Sequence, residues 1–217
     1  MTWMSWLSST IRTLTILSPL IILGNGIYII FSSALKFKYK IFLNFGMKWL
    51  PKFEITTDKR HAHFLKEAYI YALNANDNST KNGAVIVNNG KIISFGRSGL
   101  PEALDEPRFH ERPLKYDLVK HAERDSIYSA MEQGIILEGM IMYCPWYACE
   151  KCANVIAVSG IETVIGHYEM MEKTRDDWKK DVVSGWQKLH EEGVKTLLYR
   201  GKIGDFENLM NGQIWYP

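Results

Sequence analysis

Met140-Ile141-Met142-Tyr143-Cys144-Pro145-Trp146-Tyr147-Ala148-Cys149-Glu150-Lys151-Cys152, running on to Ser159-Gly160, is the stretch from which the rest of the chain can be read. Met140 to Cys144 is an apolar run of strand length, and Cys149 to Ser159 reads as an apolar helix that Gly160 stops. A buried strand leading at once into a helix is the repeating piece of an α/β domain. Cys149 and Cys152 stand three apart at the helix start, so both sulfurs share one helical face. The partial positive charge of a helix N-terminus favours their thiolate form.

The same alternation continues outward. His121 to Gln133 predicts a helix, with Ile127, Ala130 and Met131 on one face and Gly134 at its end. Before it, Gly83-Ala84-Val85-Ile86-Val87 and Lys91-Ile92-Ile93-Ser94-Phe95 flank Asn88-Asn89-Gly90, the signal of a β-hairpin. Further upstream, Phe64, Leu65, Ala68, Tyr69 and Ala72 place a helix over His61 to Asn74, with Asp58 as its cap. Downstream, strands are expected at Ile161 to Ile165 and Val194 to Tyr199, around an amphipathic helix from Thr174 to Glu191. About five strands alternating with helices predict a three-layer α/β/α sheet. Arg97 to Lys120 has three prolines and little periodicity, and a loop of that length in a compact domain is more often functional than idle.

His121-Ala122-Glu123 precedes Cys149 by a gap of 25 residues. One imidazole and two thiolates suit zinc, and three protein ligands leave the fourth position of a catalytic site open. His121, Cys149 and Cys152 are the candidate ligands. Glu123 then serves as the proton shuttle that a metal ion cannot be. A Cys-x-x-Cys pair alone is weak evidence, because redox motifs and structural zinc sites share it. Cys144 is open to two readings: a small buried hydrophobe, or a fourth ligand that would close the site. Asp176, Asp177 and Lys179 to Asp181 read as a solvated helix face.

Composition bounds the partners. The chain of 217 residues carries 26 basic and 24 acidic side chains. Residues 1–46 hold Arg12, Lys36, Lys38 and Lys40 and no acid, which leaves 22 basic against 24 acidic groups for residues 47–217. A polynucleotide-tracking protein is normally strongly basic, so a nucleic-acid substrate is disfavoured. From Thr13 to Leu35 there is no charge, a length that reaches the ~20 residues a membrane helix needs. The lysines that follow would put the catalytic part in the cytoplasm. Pro19 and Gly24-Asn25-Gly26 weaken that helix. Three readings of residues 1–46 therefore stand: a membrane anchor through residues 13–35, an upstream stretch with Met47 as the working start, and a cleaved secretory signal. The last fits poorly, since the thiolates must stay reduced and three cysteines make no disulfide framework. Either way, residues 47–217 form the catalytic domain.

On Gly83-Ala84-Val85-Ile86-Val87, Gly96-Arg97-Ser98-Gly99-Leu100-Pro101, His121-Ala122-Glu123-Arg124 and Cys149-Glu150-Lys151-Cys152-Ala153, the chain resembles the cytidine/deoxycytidylate deaminase superfamily, and within it the dCMP deaminase-like zinc enzymes. The resemblance runs over most of Asp58 to Tyr199. It implies a cytidine-deaminase-like sheet, Zn2+ on His121, Cys149 and Cys152, and Glu123 carrying protons during hydrolytic deamination at C4 of a cytosine ring. A homo-oligomer acting on dCMP is implied with it. Two positions depart from the pattern. Ala148 stands where Pro usually precedes the first cysteine, and Ser98 replaces the Asn of Gly-x-Asn-Gly-x-Pro, which reaches the nucleotide sugar. Ser98 is accordingly either a shortened sugar contact or a plain turn residue.

The remaining candidates follow from residue type. Arg112 and Lys115, with Arg108 and His110 nearby, are cations for a 5′-phosphate, and Tyr116 is an aromatic that could cover the base. Trp146 and Tyr147 lie close enough to the cysteines to wall a base pocket. Other substrates with the same chemistry, such as a nucleoside, a free base or a base in nucleic acid, form a second class. A non-catalytic zinc-stabilised module forms a third. Glu123 argues against the third, since a structural site has no need of an unligated carboxylate beside a ligand.

Overall fold

The computed structural model describes residues 49–217 throughout and, before them, the backbone of Leu20–Leu23 and Gly26–Ile29. The chain divides into two units, residues 1–48 and 49–217. In the first, β1 (Leu20–Leu23) pairs antiparallel with β2 (Gly26–Ile29), Leu20 opposite Ile29. This corrects the expectation of a continuous membrane helix for that part of residues 13–35, and the isoleucines and tyrosine of these runs suit extended backbone. The rest of the stretch lies outside the described residues. Among the described residues, no helix is long and apolar enough to cross a membrane.

The second unit is built on a six-stranded sheet in the order β3-β8-β7-β6-β4-β5. Its strands are β3 (Glu54–Thr56), β4 (Gly83–Asn88), β5 (Lys91–Arg97), β6 (Ile141–Tyr143), β7 (Thr163–His167) and β8 (Lys195–Tyr199). β3, β8, β7 and β6 run parallel, while β4 is antiparallel to both β6 and β5. Asn89 and Gly90 take positive φ (49° and 75°) in the β4–β5 turn, the conformation that a two-residue hairpin demands.

Helix α1 (Lys59–Ala72), capped by Asp58, packs Leu65 and Ala68 against Val85, Val87, Tyr143, Ile165 and Leu197 on one sheet face. Glycine permits the approach: a Cβ on Gly83 would run into the Ala68 carbonyl. Strand neighbours alternate in direction, so Ala84 and its partner Gly96 look the other way. There α3 (Ala122–Glu132) lies so close that a Cβ on Gly96 would strike Ala122 O and Ser126 N. Alongside α3 lie α4 (Glu150–Val158) and α6 (Asp176–Glu191), with the short helices α2 (Leu114–Leu118) and α5 (Tyr168–Glu172) in the connections. Gly185 of α6 meets the Ala148–Cys149 backbone, which brings the middle of α6 beside the cysteine loop.

Three features depart from the sequence expectation. β3 adds a sixth strand at the sheet edge; at three residues it is too short to show a period. The Arg97–Lys120 loop contains two 3-10 turns and α2, and it closes through a Gly99–Lys120 bridge. A C-terminal hairpin, β9 (Asn208–Met210) and β10 (Gln213–Trp215), turns at Asn211-Gly212. That Asn-Gly signal was present in the sequence between two apolar pairs.

Candidate active site

His121 is the N-cap of α3 and Cys149 the N-cap of α4, so each ligand segment leaves the sheet at a helix start. His121 Nδ1 lies 3.5 Å from Cys149 Sγ and 3.4 Å from Cys152 Sγ. The donor atoms of all three residues fall within 4.8 Å of one another. Zn–S bonds of ~2.3 Å and a Zn–N bond of ~2.0 Å at tetrahedral angles separate N and S by ~3.5 Å, so the group fits one ion with an open fourth position. The electrostatics agree. The Cys152 hydrogen bond, then His121, hold the Cys149 thiol down at about 3, while Cys149 and burial push the Cys152 thiol up. The pair thus carries negative charge ready for a cation.

Glu123 sits in the first turn of α3 and is 2% exposed. Burial pushes its carboxyl up to about 6, within the range where a carboxylate can both take and return a proton near neutrality. Cys144 is not among the gathered donors. Its thiol donates to the Trp146 carbonyl at 3.2 Å and accepts from Asn82 Nδ2 at 3.3 Å, and burial pushes its pKa up.

His121, Glu123 and Cys149 line a cavity whose empty space, open mouth included, is about 770 Å3. Ser98, Arg112, Lys115, Tyr116, Trp146 and Tyr147 line it as well. Their surroundings separate them. Ser98 Oγ donates to Thr80 O at 3.2 Å and accepts from Asn82 N at 3.1 Å, which ties the hydroxyl to backbone. Lys115 is buried in an ion pair with Asp77 at 2.6 Å. Arg112 is exposed above the Tyr116 ring, 5.6 Å from its centroid. Trp146 is held at three points: Asn82 brackets its peptide groups at 3.2 Å, and its indole donates to Thr174 Oγ1 at 3.0 Å.

Of the cavity residues not singled out in the sequence, four shape it most directly. Asn82 is buried just before β4, where its amide pins the Trp146 loop. Asn211, in the C-terminal turn, donates its backbone N–H to Thr80 Oγ1 at 3.1 Å and its side-chain amide to Lys173 O at 2.8 Å. Arg175 caps α6, and Trp178 follows one turn on. The Trp178 ring stands edge-on to Tyr116 (5.4 Å between centroids) and Trp146 (5.9 Å), and 6.4 Å from His121. Asp176, Asp177, Lys180 and Asp181 are exposed, as expected of a solvated face, while Trp178 between them lines the cavity.

Residues 58–168 match the family described as the cytidine and deoxycytidylate deaminase zinc-binding region. The chain is 33% identical over 134 residues to an uncharacterized deaminase in the luxG 3′ region of Aliivibrio fischeri, covering 61% of this chain and 88% of that protein. It is 28% identical over 155 residues to the deoxycytidylate deaminase of Enterobacteria phage T2, covering 52% of this chain and 82% of the other. In fold it is similar to the dCMP deaminase of cyanophage S-TIM5, solved in complex with dCMP and dUMP: TM-score 0.53 and 21% identity, over 66% of this chain and 98% of that one. The family match spans both ligand segments and Glu123, and the structure gathers them at one cavity. This chain belongs to the cytidine and deoxycytidylate deaminase family, zinc-binding hydrolases that act on the C–N bonds of cyclic amidines.

Proposed function

We propose that the protein converts dCMP to dUMP with release of ammonia, using one zinc ion held by His121, Cys149 and Cys152. One observation carries the reading: a buried carboxylate, Glu123, shares a cavity with a nitrogen-and-two-sulfur donor set, and the same cavity carries exposed arginine at its rim. The presence of proteins named deoxycytidylate deaminase among the relatives supports dCMP as the substrate.

When bound, zinc supplies Lewis-acid activation, which can lower the pKa of a water from ~15.7 toward ~7. Glu123 would take that water's proton and deliver it to ring N3 as the C4–O bond forms, then move the remaining proton of the new C4 hydroxyl to the amine as the C4–N bond breaks and the C4 carbonyl is left. Its raised pKa suits both halves of the cycle. Trp146, Trp178 and Tyr116 wall the base, and Val119 and Val182 keep bulk water from it. Water and the amino-pyrimidine are consumed and ammonia and the oxo-pyrimidine are formed, so no redox partner is needed.

Ammonia release from dCMP, CMP, deoxycytidine, cytosine, purine nucleotides and a cytosine-bearing oligonucleotide tests the reading. dCMP is expected to be fastest. A higher kcat/KM on any other member of the panel would displace it.

A further inference from the structure

The family match ends at residue 168, yet the cavity takes Arg175, Trp178 and Val182 from α6, beyond it. Arg175 and Trp178 are three apart and share a helical face. Trp178 spans the interval between a metal ligand, His121, and the phenol of Tyr116. Arg175 forks Asp177, with Nε donating to Oδ1 at 3.0 Å and Nη2 to Oδ2, and Nη2 donates to that phenol as well at 3.2 Å; its Nη1 has no partner among the described residues. The same ring lies beneath the Arg112 guanidinium. A single tyrosine thus ties two guanidinium groups to one end of the cavity.

Burial separates these arginines from Lys115. The side chains of Lys115 and Asp77 are 6% and 8% exposed, so drawing the ammonium toward a ligand would strand a buried carboxylate. The Asp177 side chain is 61% exposed, and exchanging its partner for water costs little. A guanidinium also presents a planar fork that matches phosphate oxygens, which an ammonium does not.

We propose that Arg175 is a specificity-determining residue: with Arg112 it forms the subsite for the phosphate end of the substrate, while Trp178 lies against the nucleoside. This rests on the dCMP reading above and assigns its phosphate contact to α6. Lys115 is a structural cation, not a ligand for phosphate.

Two measurements test it. The first is ammonia release from dCMP and from deoxycytidine by the wild type and by Arg175→Gln. The variant is expected to lose about 10- to 100-fold in kcat/KM on dCMP, mostly through KM, and far less on deoxycytidine. Arg175→Lys should recover part of the loss. Equal losses on both substrates, or undiminished use of dCMP, overturn the assignment. The second is calorimetric titration with inorganic phosphate, which should bind the wild type and fail to bind Arg175→Gln. Should the wild type deaminate neither substrate, the dCMP reading falls, and the titration decides alone: phosphate affinity kept in the variant, or absent from the wild type, overturns the subsite.

Discussion

His121 and Cys149 are 28 residues apart in sequence, each is the N-cap of its own helix, and their donor atoms stand 3.5 Å apart. Two helix N-termini therefore converge on one point. Their partial positive charges favour thiolate, and their rigid backbones hold ligands from different segments at metal-binding separation.

Zinc analysis of purified protein should find one ion per chain. Cys149→Ala is expected to lose most of it, because two ligands cannot hold zinc as three do. Cys144→Ser should keep it, since that sulfur is committed to Asn82 and the Trp146 carbonyl. Zinc loss in the Cys144 variant would make Cys144 a fourth ligand and the site a closed one.

Glu123→Gln should retain fold and metal while turnover falls by about 10²- to 10⁴-fold, the usual contribution of a positioned proton carrier. The amide has the carboxylate's shape and cannot act as a base. Turnover close to that of the wild type in a zinc-loaded Gln variant would remove Glu123 from the mechanism.

Lys115→Ala should lower stability by about 3–5 kcal/mol in urea unfolding, because it leaves the Asp77 carboxylate buried without its cation. Asp77 also accepts from Ser79 N at 2.8 Å and Thr80 N at 3.0 Å, so a shaped cavity wall loosens with it. The dCMP-to-deoxycytidine ratio should hold steady in whatever protein folds. A stability change below ~1 kcal/mol would show that the pair is solvated.

A chain beginning at Met47 should fold and deaminate like the 217-residue chain. Among the described residues, those lining the cavity lie between Asp77 and Val182 or at Asn211, within the second unit. Circular dichroism with activity on the same sample checks this, and an unfolded truncation would mean that residues 1–46 contribute to the core.

The sequence by itself located the three metal donors and most of the sheet, because each rests on local order. Apolar periodicity marks strands and helices, and a His or Cys at a helix start faces the same way wherever that helix is placed. It did not reveal β3, whose three residues show no period and which forms only because β8 offers an edge. Nor could spacing tell Lys115 from Arg112, three residues apart in one loop: packing against Asp77 buried the first and left the second exposed. Tertiary structure alone decided that Gly185 would let α6 settle against the cysteine loop and carry Arg175 and Trp178 into the cavity. Which distant side chains meet is fixed by close packing between elements, and no local pattern in the chain encodes it.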